Sequence, residues 1–147
     1  MAEISGCEIP EGLYYLLEKH VWALPMEGGV VRVGITSVAA KLSGGKLAAV
    51  TVSARKVGNE VPQGKSVATL ESSKYVGPVP NPVTGTLLRG NEALVTDPNL
   101  AVADPYGEGW VAELEVAEWD ATGLVTGEAG VEAYRALMDA EGISCES

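Results

Sequence analysis

Lys74 is the residue of this chain whose type and position could do chemistry. It lies in the string LESSKYVGPVPNPVTG, residues 70 to 85, between the apolar, strand-like segments 67–70 and 83–88. A lysine at the tip of a tight hairpin can display a covalently attached group that moves between partner proteins, and the chemistry then belongs to that group. A lysine on an exposed turn is more often a solvated charge. The position alone therefore leaves both interpretations open.

Few other side chains are available for catalysis. The 147 residues include one histidine, His20, and two cysteines, Cys7 and Cys145. One imidazole and no C-x-x-C pair argue against a metal site, and G-x-S-x-G, P-loop and Rossmann motifs are absent. We therefore predict that the chain is not an enzyme and holds no metal. His20 is interpreted as structural or surface. Two free thiols are expected, because a reducing compartment opposes a disulfide, which would also require the chain ends to meet.

Length and charge narrow the functional class. The chain fits one domain, and its formal net charge of −10 comes without a cluster of Lys or Arg. Phosphate backbones and anionic membrane surfaces repel such a protein, so neither nucleic acid nor membrane is an expected partner. No segment approaches the ~20 apolar residues of a membrane span. The first residues lack the basic and apolar regions of a signal peptide, which favours a cytoplasmic location.

The elements that must position Lys74 are short strands. Val-rich apolar segments alternate with Gly, Pro and Asn, a pattern typical of a mainly β domain. The strands are predicted within 14–23, at 30–34, 47–52, 67–70 and 83–88, and at 110–116. Pro78, Pro80 and Pro82 cannot donate to a ladder, so the segment that leaves Lys74 should be an edge strand or an irregular connection. Gly77 and Gly85 are expected to permit turn geometry.

Two helices are predicted between and after these strands. Thr36 is a candidate N-cap for a short helix over 37–42, which should bury Val38, Ala39 and Leu42. After residue 120 the pattern changes, and Val131, Tyr134, Leu137 and Met138 follow at helical spacing up to Gly142. We divide the chain into a β domain over 1–120 and a C-terminal helical extension over 121–147. That amphipathic helix is expected to pack on the β domain, with docking of a partner as the alternative.

Five segments of the chain form a recognisable series: HVWAL (20–24), VRVGITSVAAKL (31–42), VATLESSK (67–74), PVTGTLLRGNEAL (82–94) and DPYGEGWVAELEV (104–116). In order and spacing they resemble the H protein of the glycine cleavage system, over about residues 8–118. The resemblance implies a barrel-sandwich hybrid, the fold of lipoyl and biotinyl carriers. A biotin carrier would have methionines beside the lysine, whereas Ser73 and Tyr75 flank Lys74 here.

The resemblance implies a cofactor and a set of partners. In that family the lysine of the E-S-x-K motif carries lipoic acid in amide linkage, and the matching residue is Lys74. Glu71 matches the glutamate that helps the ligase or the arm recognise the site, and Ser73 keeps the hairpin tip uncrowded. The implied partners are a lipoate ligase or lipoyltransferase, dihydrolipoamide dehydrogenase, glycine decarboxylase and aminomethyltransferase. The chain would then be a carrier with a swinging arm.

The chain also departs from the glycine-cleavage pattern. The family continues after its lysine with an alanine-rich segment, whereas this chain has Tyr75-Val76-Gly77-Pro78. Such residues shape the cleft for an aminomethyl cargo, so their replacement questions the glycine substrate. Segments 6–22 and 64–83 are also similar to the H-like lipoate-binding proteins of bacterial sulfur oxidation, which partner a cytoplasmic complex resembling heterodisulfide reductase. We favour that pathway, with glycine cleavage as the alternative and an unmodified H-like binding module as a further one.

Overall fold

The computed structural model describes residues 2–145 as short antiparallel strands with four α-helices. The strands are β1 (Ala2–Ile4), β2 (Cys7–Ile9), β3 (Tyr14–Leu16), β4 (Val21–Pro25), β5 (Val30–Ile35), β6 (Ala49–Thr51), β7 (Glu60–Val61), β8 (Ser66–Glu71), β9 (Val76–Pro80), β10 (Gly85–Gly90), β11 (Ala112–Glu115) and β12 (Val125–Thr126). The helices are α1 (Ser37–Leu42), α2 (Ala93–Thr96), α3 (Leu100–Ala103) and α4 (Gly127–Glu141).

These strands form two main sheets. The larger has seven strands in the order β12-β3-β4-β5-β11-β10-β7, and the smaller has three in the order β6-β8-β9. A separate two-stranded sheet joins β1 and β2. The prediction of a mainly β barrel-sandwich hybrid with short helices and a C-terminal helix is confirmed. The proline-containing β9 lies at the edge of its sheet, where missing N–H donors cost no ladder bonds.

One hydrophobic core lies between the two main sheets. Alternate residues of each strand enter it, so Val31 and Val33 of β5 are both buried, as their spacing predicted. The smaller sheet contributes Leu70 and Val79 to the same core from the two strands that flank Lys74. Each fully buried aliphatic side chain stabilises the fold by about 1.5–3 kcal/mol. The strands on both sides of Lys74 are thereby anchored in the core.

The segment 14–23 contains two strands where we predicted one. β3 and β4 pair antiparallel, with Tyr14 opposite Ala23. A 3₁₀ turn over Leu17–Lys19 joins them and ends at His20, which has a left-handed φ of 58°. A further turn between β4 and β5 includes Gly28, which has a φ of 73°.

Helix α1 begins where predicted but buries a different face. Thr36 caps it, since its hydroxyl oxygen accepts a hydrogen bond from the backbone N–H of Ala39. Val38 and Ala40 are buried, whereas Leu42 is 55% exposed, so the predicted stripe is wrong in part. The reason is that α1 lies between two cores: Val38 packs in one of them and Ala40 in the other.

The expected role of Gly77 and Gly85 in turns is wrong. Both lie in strands, β9 and β10, and neither has a positive φ. Glycine is needed at both positions because a side chain would collide with a neighbouring group. A Cβ on Gly77 would lie 2.5 Å from Cζ of Tyr75, and one on Gly85 would lie 2.9 Å from the backbone oxygen of Glu115. These glycines let neighbouring groups lie directly against the strand.

The C-terminal helix packs on the β domain, as predicted. Val131, Tyr134 and Met138 of α4 are buried in a second core with Trp22 and the N-terminal strands. Gly142 ends the helix with a φ of 67°. Thr126 has the extended conformation of an N-cap, but its hydroxyl donates to the backbone oxygen of Leu13 and not to the helix.

The expectation of two free thiols is wrong. Cys7 of β2 and Cys145 beyond α4 form a disulfide, with their Cα atoms 5.1 Å apart. Packing of α4 against the N-terminal strands brings the two ends together, and the N–H of Cys145 donates to the backbone oxygen of Ser5. The bond closes a sequence separation of 138 residues.

Glu113 is a buried charge that strand alternation alone does not explain. It lies on the face of β11 opposite Leu114, yet it is only 6% exposed. Its carboxylate pairs with Arg32 of β5 and Arg89 of β10, the two strands that flank β11. Arg32 also lies 4.6 Å from the centroid of the Trp110 ring, within cation–π range.

No helix within residues 2–145 is long and apolar enough to cross a membrane.

Replacing Cys145 by Ser should lower the free energy of unfolding by about 2–5 kcal/mol, because the closed loop is long and its loss enlarges the unfolded ensemble. Urea titration followed by circular dichroism measures this change. Reductant should destabilise the wild type to a similar extent and leave the variant unaffected. Equal stability of the oxidised wild type and the variant would contradict the disulfide.

Candidate functional site

The turn at residues 72–75 presents Lys74 to solvent. Glu71 and Val76 form the last pair of the β8–β9 ladder. Beyond them the N–H of Ser72 donates to the backbone oxygen of Tyr75 at 2.7 Å, and the N–H of Lys74 donates to the Ser72 hydroxyl at 3.3 Å. Ser72 is 8% exposed, whereas Lys74 is exposed. The backbone of the tip is fixed while the lysine side chain is accessible.

The side chain of Lys74 extends toward the end of α1. A Cβ on Gly44 would lie 3.5 Å from Cδ of Lys74, so the aliphatic stem passes directly over that glycine. Gly44 has a φ of 103°, which favours glycine at this position. Within residues 2–145 the Lys74 ammonium makes no ion pair. The amine is therefore available for acylation without breaking a structural contact.

A small apolar pocket is lined by Ser43 and Tyr75, the sequence neighbours of Gly44 and Lys74. Its volume is about 160 Å³, close to the ~150 Å³ of an engineered cavity that holds one benzene ring. A five-membered ring with a short alkyl stem is of similar size. The lining residues come from the turn before β4, from β5, α1 and both strands of the hairpin: Lys19, His20, Val21, Ile35, Ala39, Leu42, Ser43, Leu70, Tyr75, Pro78, Val79 and Pro80.

The polar groups of this pocket are cationic or neutral. Lys19 and His20 lie on its wall, and none of its twelve described lining residues is Asp or Glu. Tyr75 closes one side, where its ring lies against Gly77. A cation placed here would contact Lys19 and no lining carboxylate, and burying an unpaired charge in an apolar site is costly. The Glu141 carboxylate, which affects the pKa of His20, is not among the lining residues. The pocket favours neutral or anionic groups.

His20 is both structural and part of this pocket. Its Nδ1 lies 2.7 Å from the hydroxyl of Tyr134, and the two rings stack with centroids 5.6 Å apart. Burial lowers the pKa of His20, while the nearby Glu141 carboxylate opposes that shift. The imidazole is therefore neutral near pH 7. The sequence interpretation of His20 as structural is confirmed but omitted the pocket, because a single histidine before Val21 and Trp22 gives no spacing signal.

Glu71 and Ser73 lie outside the pocket. Along β8 the side chains alternate, so Leu70 lines the pocket and the exposed Glu71 faces the other side. The backbone oxygen of Glu71 accepts from the N–H of Ala48 at 2.7 Å, which fixes the strand but leaves the carboxylate free for a partner. Ser73 is exposed beside Lys74 at the tip. Both residues are accessible to a protein that approaches the hairpin.

Two wider clefts lie elsewhere and contain no residue of the turn. One of about 890 Å³ is lined in part by Glu60, Glu115, Glu118 and Asp120. Another of about 560 Å³ follows β6 and α2. Both are open surface grooves. The smaller pocket includes Tyr75 of the turn, and it is therefore the candidate functional site.

Comparisons with known proteins identify the same relatives throughout. The family model of the glycine cleavage H-protein matches residues 13–137. Glycine cleavage system H protein 2 of Aquifex aeolicus is 41% identical over 145 residues, covering 97% of this chain and 88% of that protein. H protein 5 of the same organism is 42% identical over 151 residues, covering 99% of each. A probable glycine cleavage system H protein 2 of Sulfurisphaera tokodaii is 40% identical over 149 residues, covering 99% of each.

A solved structure agrees with these sequence matches. The crystal structure of a glycine cleavage system H protein from Mycobacterium marinum superposes with a TM-score of 0.72 at 32% identity. The match covers 92% of this chain and all of that one.

Replacing Lys74 by Ala should change the free energy of unfolding by less than about 0.5 kcal/mol, because an exposed, unpaired side chain contributes little. Ser72→Ala is the matched variant and should cost about 1 kcal/mol, since it removes the hydroxyl that holds the turn. Urea titrations of both variants measure the difference. A large loss of stability in the Lys74 variant would mean that this side chain is not free in the folded protein.

Proposed function

The chain belongs to the glycine cleavage H-protein family, and from this premise we propose that Lys74 is the residue that carries its lipoyl group. The protein is a lipoyl carrier and not itself an enzyme, and the family's lipoate is covalently attached to a lysine. The observation that supports Lys74 is its exposure at the tip of a rigid hairpin, without an ion-pair partner in the described chain.

A lipoate ligase needs an accessible amine on a backbone of fixed shape. The turn over 72–75 provides this, because its hydrogen bonds hold the tip while β8 and β9 anchor it in the core. The exposed Glu71 carboxylate lies three residues from Lys74, on the face turned away from the pocket. We therefore assign Glu71 to recognition by the ligase or lipoyltransferase, with Ser73 as the small residue that leaves room beside the amine.

The residues beside Lys74 fit a lipoyl group. The bound group supplies a dithiolane whose sulfur atoms exchange with thiols and disulfides. Gly44 leaves a path for the stem, and the apolar pocket next to it is large enough for one small ring. Leu70 and Val79 exclude water from the pocket floor, while Lys19 and His20 provide its polar wall. The pocket residues of this chain would therefore hold the arm when no partner protein is bound.

For the cargo we propose a sulfur species, delivered to a heterodisulfide-reductase-like complex in cytoplasmic sulfur oxidation. The support comes from the charge of the pocket. An aminomethyl cargo carries an amine that is cationic near pH 7, and it would meet Lys19 without a carboxylate to balance it. Thiolates and oxidised sulfur groups are neutral or anionic, and Lys19 and the His20 N–H can stabilise them.

Glycine decarboxylation is the second candidate, since the named relatives are glycine cleavage system H proteins. Its partners would be glycine decarboxylase and aminomethyltransferase. The numbering of the Aquifex aeolicus relatives as 2 and 5 indicates several such proteins in one organism, which leaves room for more than one cargo. Dihydrolipoamide dehydrogenase is a proposed partner for reoxidation of the arm. The cytoplasmic location and the division at residue 120 stay predictions.

Glu71→Gln should slow lipoylation of Lys74 by at least about tenfold, because a charge-assisted hydrogen bond to the ligase is lost. Time courses of intact mass with a lipoate ligase, ATP and lipoate measure the rate. Glu60→Gln is the control, since it neutralises an exposed strand carboxylate remote from the hairpin. Equal rates for wild type and Glu71→Gln would remove this residue from recognition.

Lipoylated wild type should support turnover of a purified heterodisulfide-reductase-like complex and be a poor acceptor in glycine-dependent CO₂ exchange. Leu42→Glu should improve that exchange, because it adds a carboxylate at the partly exposed rim of the pocket. Leu42→Gln is the matched neutral control. Efficient exchange by the wild type, unchanged by Leu42→Glu, would establish the aminomethyl cargo and overturn the sulfur assignment. An unmodified lysine in every preparation would favour a binding module.

A further inference from the structure

His20 is held in an unusual conformation at the pocket wall. It is one of two residues other than glycine with a positive φ in the described part of the chain, at 58°. Its ring is fixed by stacking on Tyr134 with an interplanar angle of 25°. Left-handed conformations of larger residues persist only where surrounding contacts determine them, and they concentrate at functional sites. The contacts that hold this ring occupy one of its two nitrogens, Nδ1.

A chain of hydrogen bonds fixes the tautomer of His20. The Thr36 hydroxyl is fully buried and accepts from the N–H of Ala39, so among the described residues its own hydrogen can go only to the Tyr134 oxygen, 2.8 Å away. The Tyr134 hydroxyl must then donate to Nδ1 of His20 at 2.7 Å. Burial raises the pKa of Tyr134, so this hydroxyl stays protonated. Nδ1 is an acceptor, and the neutral ring carries its proton on Nε2.

The Nε2–H group is an unused donor. Nδ1 makes the only hydrogen bond of this ring within residues 2–145. No fully buried side-chain nitrogen or oxygen of the described chain lacks a partner, so Nε2 must reach an accessible surface. His20 lines the pocket, and its inner nitrogen is committed to Tyr134. Since His20 lines the pocket, the accessible Nε2–H is the donor that this residue can offer to a group bound there.

We propose that Nε2–H of His20 donates a hydrogen bond to a sulfur atom of the protein's own lipoyl arm in its reduced form, and so stabilises the thiolate over the thiol in this pocket. The inference rests on the proposed function of Lys74 and names the group that adjusts its arm. Thiolates are the reactive form in exchange with disulfides, so a donor here raises the reactive fraction near pH 7. A neutral N–H group can stabilise the thiolate through a hydrogen bond without transferring its proton.

Other charged and titratable groups near the His20 ring affect either an anion in the pocket or the pKa of His20. Lys19 lies on the same wall and adds attraction for an anion, while Tyr75 faces the pocket from the hairpin. Glu141 near the end of α4 raises the pKa of His20, opposing the larger effect of burial. Salt distinguishes these contributions, because it screens Lys19 more than a direct hydrogen bond.

The test uses the full chain with one lipoyl group on Lys74, verified by peptide mapping. The arm is reduced with dihydrolipoamide dehydrogenase and NADH, and iodoacetamide alkylation of the Lys74 peptide is followed by mass spectrometry across a pH series. His20→Leu should raise the thiol pKa, with a roughly tenfold slower alkylation near neutral pH. His20→Gln retains a donor at a similar position and should restore most of the rate. Glu18→Gln, an exposed change on the same turn, is the control.

Tyr134→Phe tests the effect of the His20 tautomer separately from the presence of the imidazole ring. It frees Nδ1, so the proton can move to either nitrogen and the thiol pKa should rise by less than in His20→Leu. Circular dichroism checks that each variant is folded. An identical alkylation profile for wild type and His20→Leu, at low and high salt, would overturn the inference while leaving the carrier function intact. Absence of the lipoyl group on Lys74 would overturn both.

Discussion

The pairing of β8 with β9 is the interaction on which the functional site depends. It places Leu70 and Val79 in the core between the two sheets and, at its end, Lys74 in water. A charged amine could not be held rigidly inside the protein without a large desolvation cost. The hairpin solves this by fixing the backbone through buried neighbours and leaving the side chain outside. Stability and accessibility therefore come from alternate residues of the same two strands.

The second core supports the small apolar pocket near the hairpin. Tyr134 of α4 is buried and contacts His20, and His20 lines the pocket that Tyr75 of the turn also lines. The disulfide between Cys7 and Cys145 joins the strands and the helix that build this core. The C-terminal helix therefore contributes to the pocket as well as to the core, because its Tyr134 determines the orientation of His20.

Local patterns predicted the hairpin around Lys74, the edge position of β9 and the cap of α1, because apolar alternation, prolines and a threonine N-cap act over a few residues. The features that were missed depend on contacts between distant segments. The disulfide requires α4 to pack on the N-terminal strands, and the pocket requires β9 to lie beside α1. Glu113 is buried since Arg32 and Arg89 occupy both neighbouring strands. Gly77 is needed because of where Tyr75 lies.

We propose that Lys74 alone carries the lipoyl group. Intact mass with peptide mapping, on protein from cells supplied with lipoate and a ligase, tests this. We expect one lipoyl group per chain, on the peptide that contains Lys74, and none on the other lysines. Modification at a different lysine, or an unmodified chain with several ligases that lipoylate other H proteins, would contradict it.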